Sequence, residues 1–248
     1  MTRVVLGPDI TCDALLGGAV ELLQPREGYR VNVDSILLAA FVAGRRAALA
    51  VDLGSGVGAV ALLAHHRGLA RELALVEREP ALAELARQNL ARAGAPGRVF
   101  VRDLDGQGLP LELRGKAGLV VSNPPFFNEA EHRAPRSAAR KAARLGGIAP
   151  FVRAASLALS GDKARAAFVY PARGLEELLT AARAAGLAAR RLRFVHAYAE
   201  QPARLALVEL RRVKQGGLLV EPPLVEWERP GRRSPELVGL TAGASGRS

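Results

Sequence analysis

The segment Val51-Asp52-Leu53-Gly54-Ser55-Gly56-Val57-Gly58 constrains the fold more than any other, because it closes a short apolar strand and opens an apolar helix through a glycine-rich turn. Turns of this kind bring the backbone close to a ligand at the carboxyl end of a strand. The same alternation continues downstream. Residues 48–52 read as a strand, 57–64 as a buried helix and 73–77 as a strand. Residues 80–93 read as a helix, with Pro80 in its first turn and Gly94 just beyond its end, and 98–102 and 117–122 as two further strands. This β-α-β-α-β order requires crossover connections, and therefore a parallel sheet with helices on both faces. Beyond Asn123 the pattern predicts a helix near 148–159, a strand at 164–170, a helix at 175–185, and strands at 190–196 and 204–210. Too few residues join the last two for a crossover helix, so they should pair antiparallel.

Ahead of this core, Gly17-Gly18 between apolar stretches predicts a hairpin-like extension over residues 1–33, and Asp34 reads as the cap of a helix over 34–42. The main domain then spans 34–214. Residues 215–248 are rich in Gly, Pro and Ser and read as a partly mobile tail. A chain of 248 residues accommodates one α/β domain with such additions. Its formal charge of +11 and pI near 11.0 suit a polyanionic partner, RNA or DNA. With only four lysines, part of that charge reflects an arginine-rich composition. The single cysteine, Cys12, excludes an intramolecular disulfide or a multi-cysteine metal site, and the histidines lack metal-ligand spacing, so no metal is expected. No uncharged run approaches the ~18 residues of a membrane span and the first residues lack an apolar signal core, which predicts a cytoplasmic protein without membrane contact.

The glycine turn is a nucleotide-type site. Glu77 ends the following strand, where a carboxylate accepts both hydroxyls of a ribose. Gly54-x-Gly56-x-x-Ala59 also satisfies a dinucleotide fingerprint, so the turn by itself leaves NAD and S-adenosylmethionine both open. Two residues favour S-adenosylmethionine: Asp52, placed to meet an ammonium group, and Gly58, which thins the loop where a methionine moiety would lie. Asp103, after the third strand, is placed to accept a hydrogen bond from the cofactor's adenine amino group, with Asp105 as its alternative.

The strand at 117–122 runs into Asn123-Pro124-Pro125-Phe126. In an open α/β sheet this tetrapeptide faces the same crevice as the glycine turn. An exocyclic amino group is a poor nucleophile because its lone pair is delocalised into the ring. The Asn123 side-chain oxygen and the Pro124 carbonyl would each accept one N–H, freeing the lone pair for an in-line displacement. Pro124 and Pro125 remove backbone donors and fix φ, so the turn presents acceptors. Phe126 offers a flat face for the target ring, and stacking of ~1–3 kcal/mol per base would largely offset the cost of extruding it. Next comes a segment with Arg133, Arg136, Arg140, Lys141 and Arg144 and no acid among them; on a helix Arg136, Arg140 and Arg144 form one stripe along which an RNA backbone would lie.

Three strings together, Gly28-Tyr29-Arg30-Val31-Asn32-Val33-Asp34-Ser35-Ile36-Leu37-Leu38, Asp52-Leu53-Gly54-Ser55-Gly56-Val57-Gly58 and Asn123-Pro124-Pro125-Phe126, resemble the bacterial tRNA(Val) adenine-N6 methyltransferases over roughly residues 10–225. The resemblance implies a Rossmann-like α/β fold with a seven-stranded, mostly parallel sheet and an antiparallel last strand. It implies S-adenosylmethionine as donor and, as substrate, the adenosine just 3′ of the valine anticodon in tRNA. On that likeness Asn123, Pro124 and Phe126 are catalytic, Asp52, Gly54, Gly56, Glu77 and Asp103 hold the donor, and the segment around Tyr29 and Asp34 covers it. The Asn-Pro-Pro-Phe string is shared with other amino-nitrogen methyltransferases. A protein glutamine-N5 methyltransferase meets the same lone-pair problem, and the high positive charge favours RNA over that alternative. A DNA adenine methyltransferase would need room for a target-recognition domain. A non-catalytic RNA-binding protein on the same scaffold would not need the glycines, Glu77 and Asn123 together.

Overall fold

The computed structural model describes residues 9–27, 30–125, 147–212 and 216–242. The chain opens with an antiparallel hairpin of β1 (Ile10–Leu15) and β2 (Val20–Pro25), followed by α1 (Val33–Phe41). The alternating core then runs through β3 (Ala47–Leu53), α2 (Ala59–His66), β4 (Ala70–Glu77), α3 (Pro80–Arg92), β5 (Gly97–Val101) and β6 (Leu119–Ser122). It is completed by α4 (Ala149–Ala158), β7 (Arg165–Pro171), α5 (Leu175–Ala184), β8 (Ala188–His196) and β9 (Ala203–Arg211). The strand order is β5-β4-β3-β6-β7-β9-β8, and every neighbouring pair is parallel except those that β9 makes.

The apolar runs of β3, β4, β6 and β7 are buried on both faces, as strands covered by crossover helices must be. Their two-residue alternation sorts the side chains into two cores. Leu73, Leu75 and Val121 join Leu37, Leu62 and Leu85 of α1, α2 and α3 on one face. Ala74, Val76 and Val120 join Val152 of α4 and Leu178 of α5 on the other. From β3 the chain proceeds outward to β4 and β5, then returns to place β6 on the opposite side of β3. That reversal opens a crevice at the carboxyl ends of β3 and β6, where ligands collect in sheets of this type.

Two expectations change. Asp34 does not cap α1; Asn32 does, its side-chain oxygen accepting the Asp34 N–H at 3.1 Å, because the Asp34 carboxylate is engaged by Arg204. Residues 216–242 of the segment read as a partly mobile tail are docked. Its two short strands β10 (Leu219–Val220) and β11 (Leu224–Val225) pair in parallel with β8, a hairpin of β12 (Trp227–Arg229) and β13 (Arg232–Arg233) follows, and α6 (Pro235–Thr241) packs against α1. Leu224 and Leu237 are its buried anchors.

The N-terminal hairpin is joined to the core through Asn89 of α3, which is fully buried. Asn89 accepts the Leu23 N–H at 2.7 Å and donates to the carbonyls of Leu23 and Val57, both at 2.9 Å. It thereby satisfies backbone groups of β2 that would otherwise be buried unpaired, at a cost of about 1–3 kcal/mol each. Among the described residues no helix is long and apolar enough to cross a membrane, and no cluster of His, Cys, Asp or Glu could hold a metal ion.

Candidate active site

The glycine turn hangs from β4: the Gly54 and Ser55 N–H groups donate to the Val76 carbonyl at 2.8 and 3.1 Å. Gly54 (φ 68°), Gly56 (φ 54°) and Gly58 (φ 88°) all occupy the left-handed region, where a side chain is strained. A Cβ at Gly54 would also lie 2.8 Å from the Phe151 ring of α4. A Cβ at Gly58 would strike Leu75 at 2.7 Å, so its missing side chain lets α2 pack on β4.

Two carboxylates brace the turn. Glu77, buried at the end of β4, accepts the Gly56 N–H at 2.8 Å and the Glu79 N–H at 2.9 Å, one on each oxygen. Each oxygen retains acceptor capacity, which is what a pair of ribose hydroxyls would use. Asp52, almost fully buried, accepts the Ala61 N–H at 3.1 Å in the first turn of α2. Burial pushes its carboxyl up to about 7, with the Ala61 N–H opposing and the Glu77 charge reinforcing the rise. Between the glycines, the buried Ser55 hydroxyl has no hydrogen-bond partner. A buried polar atom left unspent in such a turn, with flanking carboxylates, fits a ligand carrying hydroxyl and ammonium groups. Asp103, just past β5, accepts the Asp105 N–H at 3.1 Å on one oxygen, while the exposed Asp105 lies 3.9 Å from Arg153. Of the two, Asp103 is the nearer to the carboxyl end of β5.

The acceptor side is built from more distant parts of the chain. Ser122 Oγ donates to the Leu53 carbonyl at 2.7 Å, locking the end of β6 to the end of β3. Asn123 therefore leaves the sheet beside the glycine turn. Its side chain is buried and its Nδ2 donates to Ser35 Oγ at 3.3 Å. With the amide held this way, Oδ1 is its acceptor face. Pro124 is buried and Pro125 exposed. Phe126 and the predicted RNA-binding residues Arg133, Arg136, Arg140, Lys141 and Arg144 lie outside the described residues.

Asp34, expected in the segment over the donor, takes part in an ion-pair network. Its buried carboxylate pairs with Arg204 at 2.8 Å, and Arg204 also grips Glu226 at 2.6 Å. Burial raises the Asp34 pKa while Arg204 opposes the rise. This triad ties the start of α1 to β9 and to the residue after β11. Sequence reasoning missed Ser35, Ser55, Phe151 and Arg204. A polar residue opening the apolar run of α1 was the available sign for Ser35; Arg204 carried none.

The Methyltransferase small domain family matches residues 29–145. A tRNA1(Val) (adenine(37)-N6)-methyltransferase from Trichodesmium erythraeum is 31% identical over 196 residues, covering 77% of this chain and 81% of that protein. A release factor glutamine methyltransferase from Mycolicibacterium smegmatis is 46% identical over 94 residues, covering 38% of this chain and 32% of that protein, so the match spans about a third of its length. Among solved structures, a predicted O-methyltransferase from Agrobacterium tumefaciens aligns with a TM-score of 0.65 at 24% identity, over 85% of this chain and 96% of that one. TYW2 of M. jannaschii, in complex with AdoMet, aligns with a TM-score of 0.57 at 13% identity, over 85% and 90% of the two chains. At these identities the structural likeness shows the fold, the Rossmann-like sheet with its antiparallel strand.

Proposed function

We propose a function from one premise: the chain belongs to the tRNA1(Val) (adenine(37)-N6)-methyltransferase family, sharing 31% identity over 77% of its length with a member. On this reading it transfers a methyl group from S-adenosylmethionine to the exocyclic N6 of an adenine in tRNA, the adenosine beside the valine anticodon. The bound donor supplies an electrophilic methyl on a sulfonium, whose C–S bond breaks as the new N–CH3 bond forms.

The observation that carries this reading is the Asn123 amide, fixed by Ser35 with its oxygen available, one residue from a proline carbonyl and locked beside the glycine turn. Asn123 Oδ1 and the Pro124 carbonyl accept the two N–H bonds of the amine and turn its lone pair out of conjugation. The proton that must leave passes to water, so no side-chain base is required. Glu77 takes the ribose hydroxyls, Asp52 and the unspent Ser55 hydroxyl face the amino-acid end of the donor, and Asp103 takes its adenine amino group. Phe126 stacks on the target ring, and Arg133, Arg136, Arg140, Lys141 and Arg144 follow the RNA backbone, in a cytoplasmic enzyme.

The release factor match favours a glutamine side-chain amide as an alternative acceptor, since that amide poses the same lone-pair problem. The formal charge of +11 favours RNA. Mass spectrometry of nucleosides from bulk tRNA incubated with enzyme and labelled donor decides between them. The expected product is labelled N6-methyladenosine, lost in Asn123→Ala; label only in protein glutamine would reverse the assignment.

A further inference from the structure

The hairpin between β11 and α6 lies at the same edge of the sheet as Asn123. β8 is antiparallel to β9, which is antiparallel to β7, so β8 runs in the same direction as β6 and β7. β11 is parallel to β8. The residues that follow β11 therefore emerge at the carboxyl edge, four strand spacings from β6, or ~19 Å at the usual separation of strands. Hydrogen bonds pin the base of the hairpin there: Glu226 N–H to the His196 carbonyl at 2.8 Å and Trp227 N–H to the Ala197 carbonyl at 3.0 Å. Glu226 is gripped by Arg204, Arg204 by Asp34, and Asp34 adjoins the Ser35 that holds Asn123. The hairpin is thus fixed in position relative to the acceptor site.

Its surface is unlike the rest of this end of the chain. Elsewhere the arginines are spent on structure: Arg191 pairs with Glu209 and Glu221, Arg193 with Glu236, and Arg211 with Glu209. The hairpin Trp227–Arg233 turns at Pro230-Gly231, with Gly231 at φ 78°, and exposes Arg229, Arg232 and Arg233 against a single acid, Glu228. Glu228 is used by Arg232 at 2.8 Å, and Arg229 has no salt-bridge partner among the described residues. The Arg233 guanidinium lies 5.5 Å over the ring of Trp227, which is half-buried. Guanidinium groups for phosphates beside an aromatic face for bases are the combination that single-stranded RNA recognition uses.

We propose that the hairpin Trp227–Arg233 is a contact surface for the RNA substrate, with Arg229, Arg232 and Arg233 on the phosphodiester backbone and the exposed part of Trp227 against an unpaired base. It rests on the reading that RNA is the substrate. It adds a second foothold, hydrogen-bonded to the sheet and distant in sequence from the basic segment after Phe126.

Trp227 is the chain's only tryptophan, so its fluorescence reports on this surface alone. The test titrates the full-length protein with bulk tRNA at several salt concentrations and repeats the titration, with steady-state methyl transfer, on the double variant Arg229→Gln/Arg233→Gln. The expected result is saturable quenching in the wild type. In the variant, the tRNA Kd and KM rise on the order of tenfold and the salt slope falls by about two, while kcat at saturating RNA and calorimetric donor affinity are unchanged. A variant equal to wild type in Kd, KM and salt slope, with Trp227 unquenched, overturns the proposal while leaving the methyltransferase reading intact. Quenching reproduced by polyglutamate at equal charge also overturns it, by making the surface a general anion site. A wild type that methylates no tRNA yet shows the RNA-specific, variant-sensitive quenching supports the hairpin and overturns the substrate reading instead.

Discussion

The two halves of the proposed site are assembled over different ranges of sequence. On the donor side Asp52 reaches Ala61 across 9 residues and Glu77 reaches Gly56 across 21. On the acceptor side Ser122 reaches Leu53 across 69 residues, Asn123 reaches Ser35 across 88, and Arg204, which steadies the start of α1, reaches Asp34 across 170. The two carboxylates of the donor half meet their backbone partners within one strand-turn-helix-strand unit. The acceptor half exists only when α1, β3, β6 and β9 have all come together, so it should respond to mutations that leave the donor half untouched.

Asn123→Ala is the strongest test of that separation. Methyl transfer should fall by roughly 100- to 1,000-fold or more, the scale for losing an acceptor that acts on the transition state. Donor affinity by calorimetry should stay within about threefold. Loss of donor binding as well would mean that the halves are one unit.

Arg204→Met attacks the long-range scaffold. It leaves Asp34 and Glu226 buried without their cation, and breaking such a pair costs about 3–5 kcal/mol in full burial; half-exposed Arg204 puts this case at the lower end, near ~3. Chemical denaturation should show that loss. It should narrow as pH falls, because Asp34, whose carboxyl burial raises above its ordinary value, takes up a proton more readily in the folded state and its part of the penalty is present only while it is ionised.

Asp52 offers a test confined to the donor half. Its folded pKa is raised from 3.8 to about 7, so the folded chain holds this proton to higher pH than the unfolded chain does. Its contribution to stability therefore declines as pH rises through that interval and is fully lost above it. A donor ammonium favours the ionised carboxylate, so binding below about 7 releases a proton and donor affinity climbs on the order of tenfold between about pH 6 and 8. Calorimetry in buffers of different ionisation enthalpy reads the released proton, and Asp52→Asn should flatten the profile.

Ser35→Ala carries the smallest expected effect. Loss of one hydrogen bond worth about 1 kcal/mol frees the Asn123 amide to rotate, lowering kcat about fivefold with donor KM unchanged. A change in donor KM instead would place Ser35 on the donor side.

The same division explains what the sequence disclosed. The β-α-β alternation, the antiparallel pair β8 and β9, and the glycine turn with Glu77 were legible because each depends on neighbours in the chain. The packing role of Gly58 was not legible, because it depends on Leu75, which lies in the next strand and leaves no mark on the loop itself. Asp34 read as a helix cap, which is what an isolated Asp before an apolar run suggests, until a cation on β9 claimed its carboxylate. Gly, Pro and Ser after 215 signalled many turns, and turns were taken for mobility. Leu224 and Leu237 bury only because β8 and α1 offer surfaces to cover.

The Asn89 bridge ties the N-terminal hairpin to the proposed donor pocket. One amide holds both backbone groups of Leu23 and the carbonyl of Val57, inside the glycine turn itself. A trimmed protein beginning after Pro25 would retain every residue proposed to touch the donor, yet Asn89 would keep only one of its three partners in the interior. Deletion mapping from this end would then be reporting on a pocket that had lost its strut.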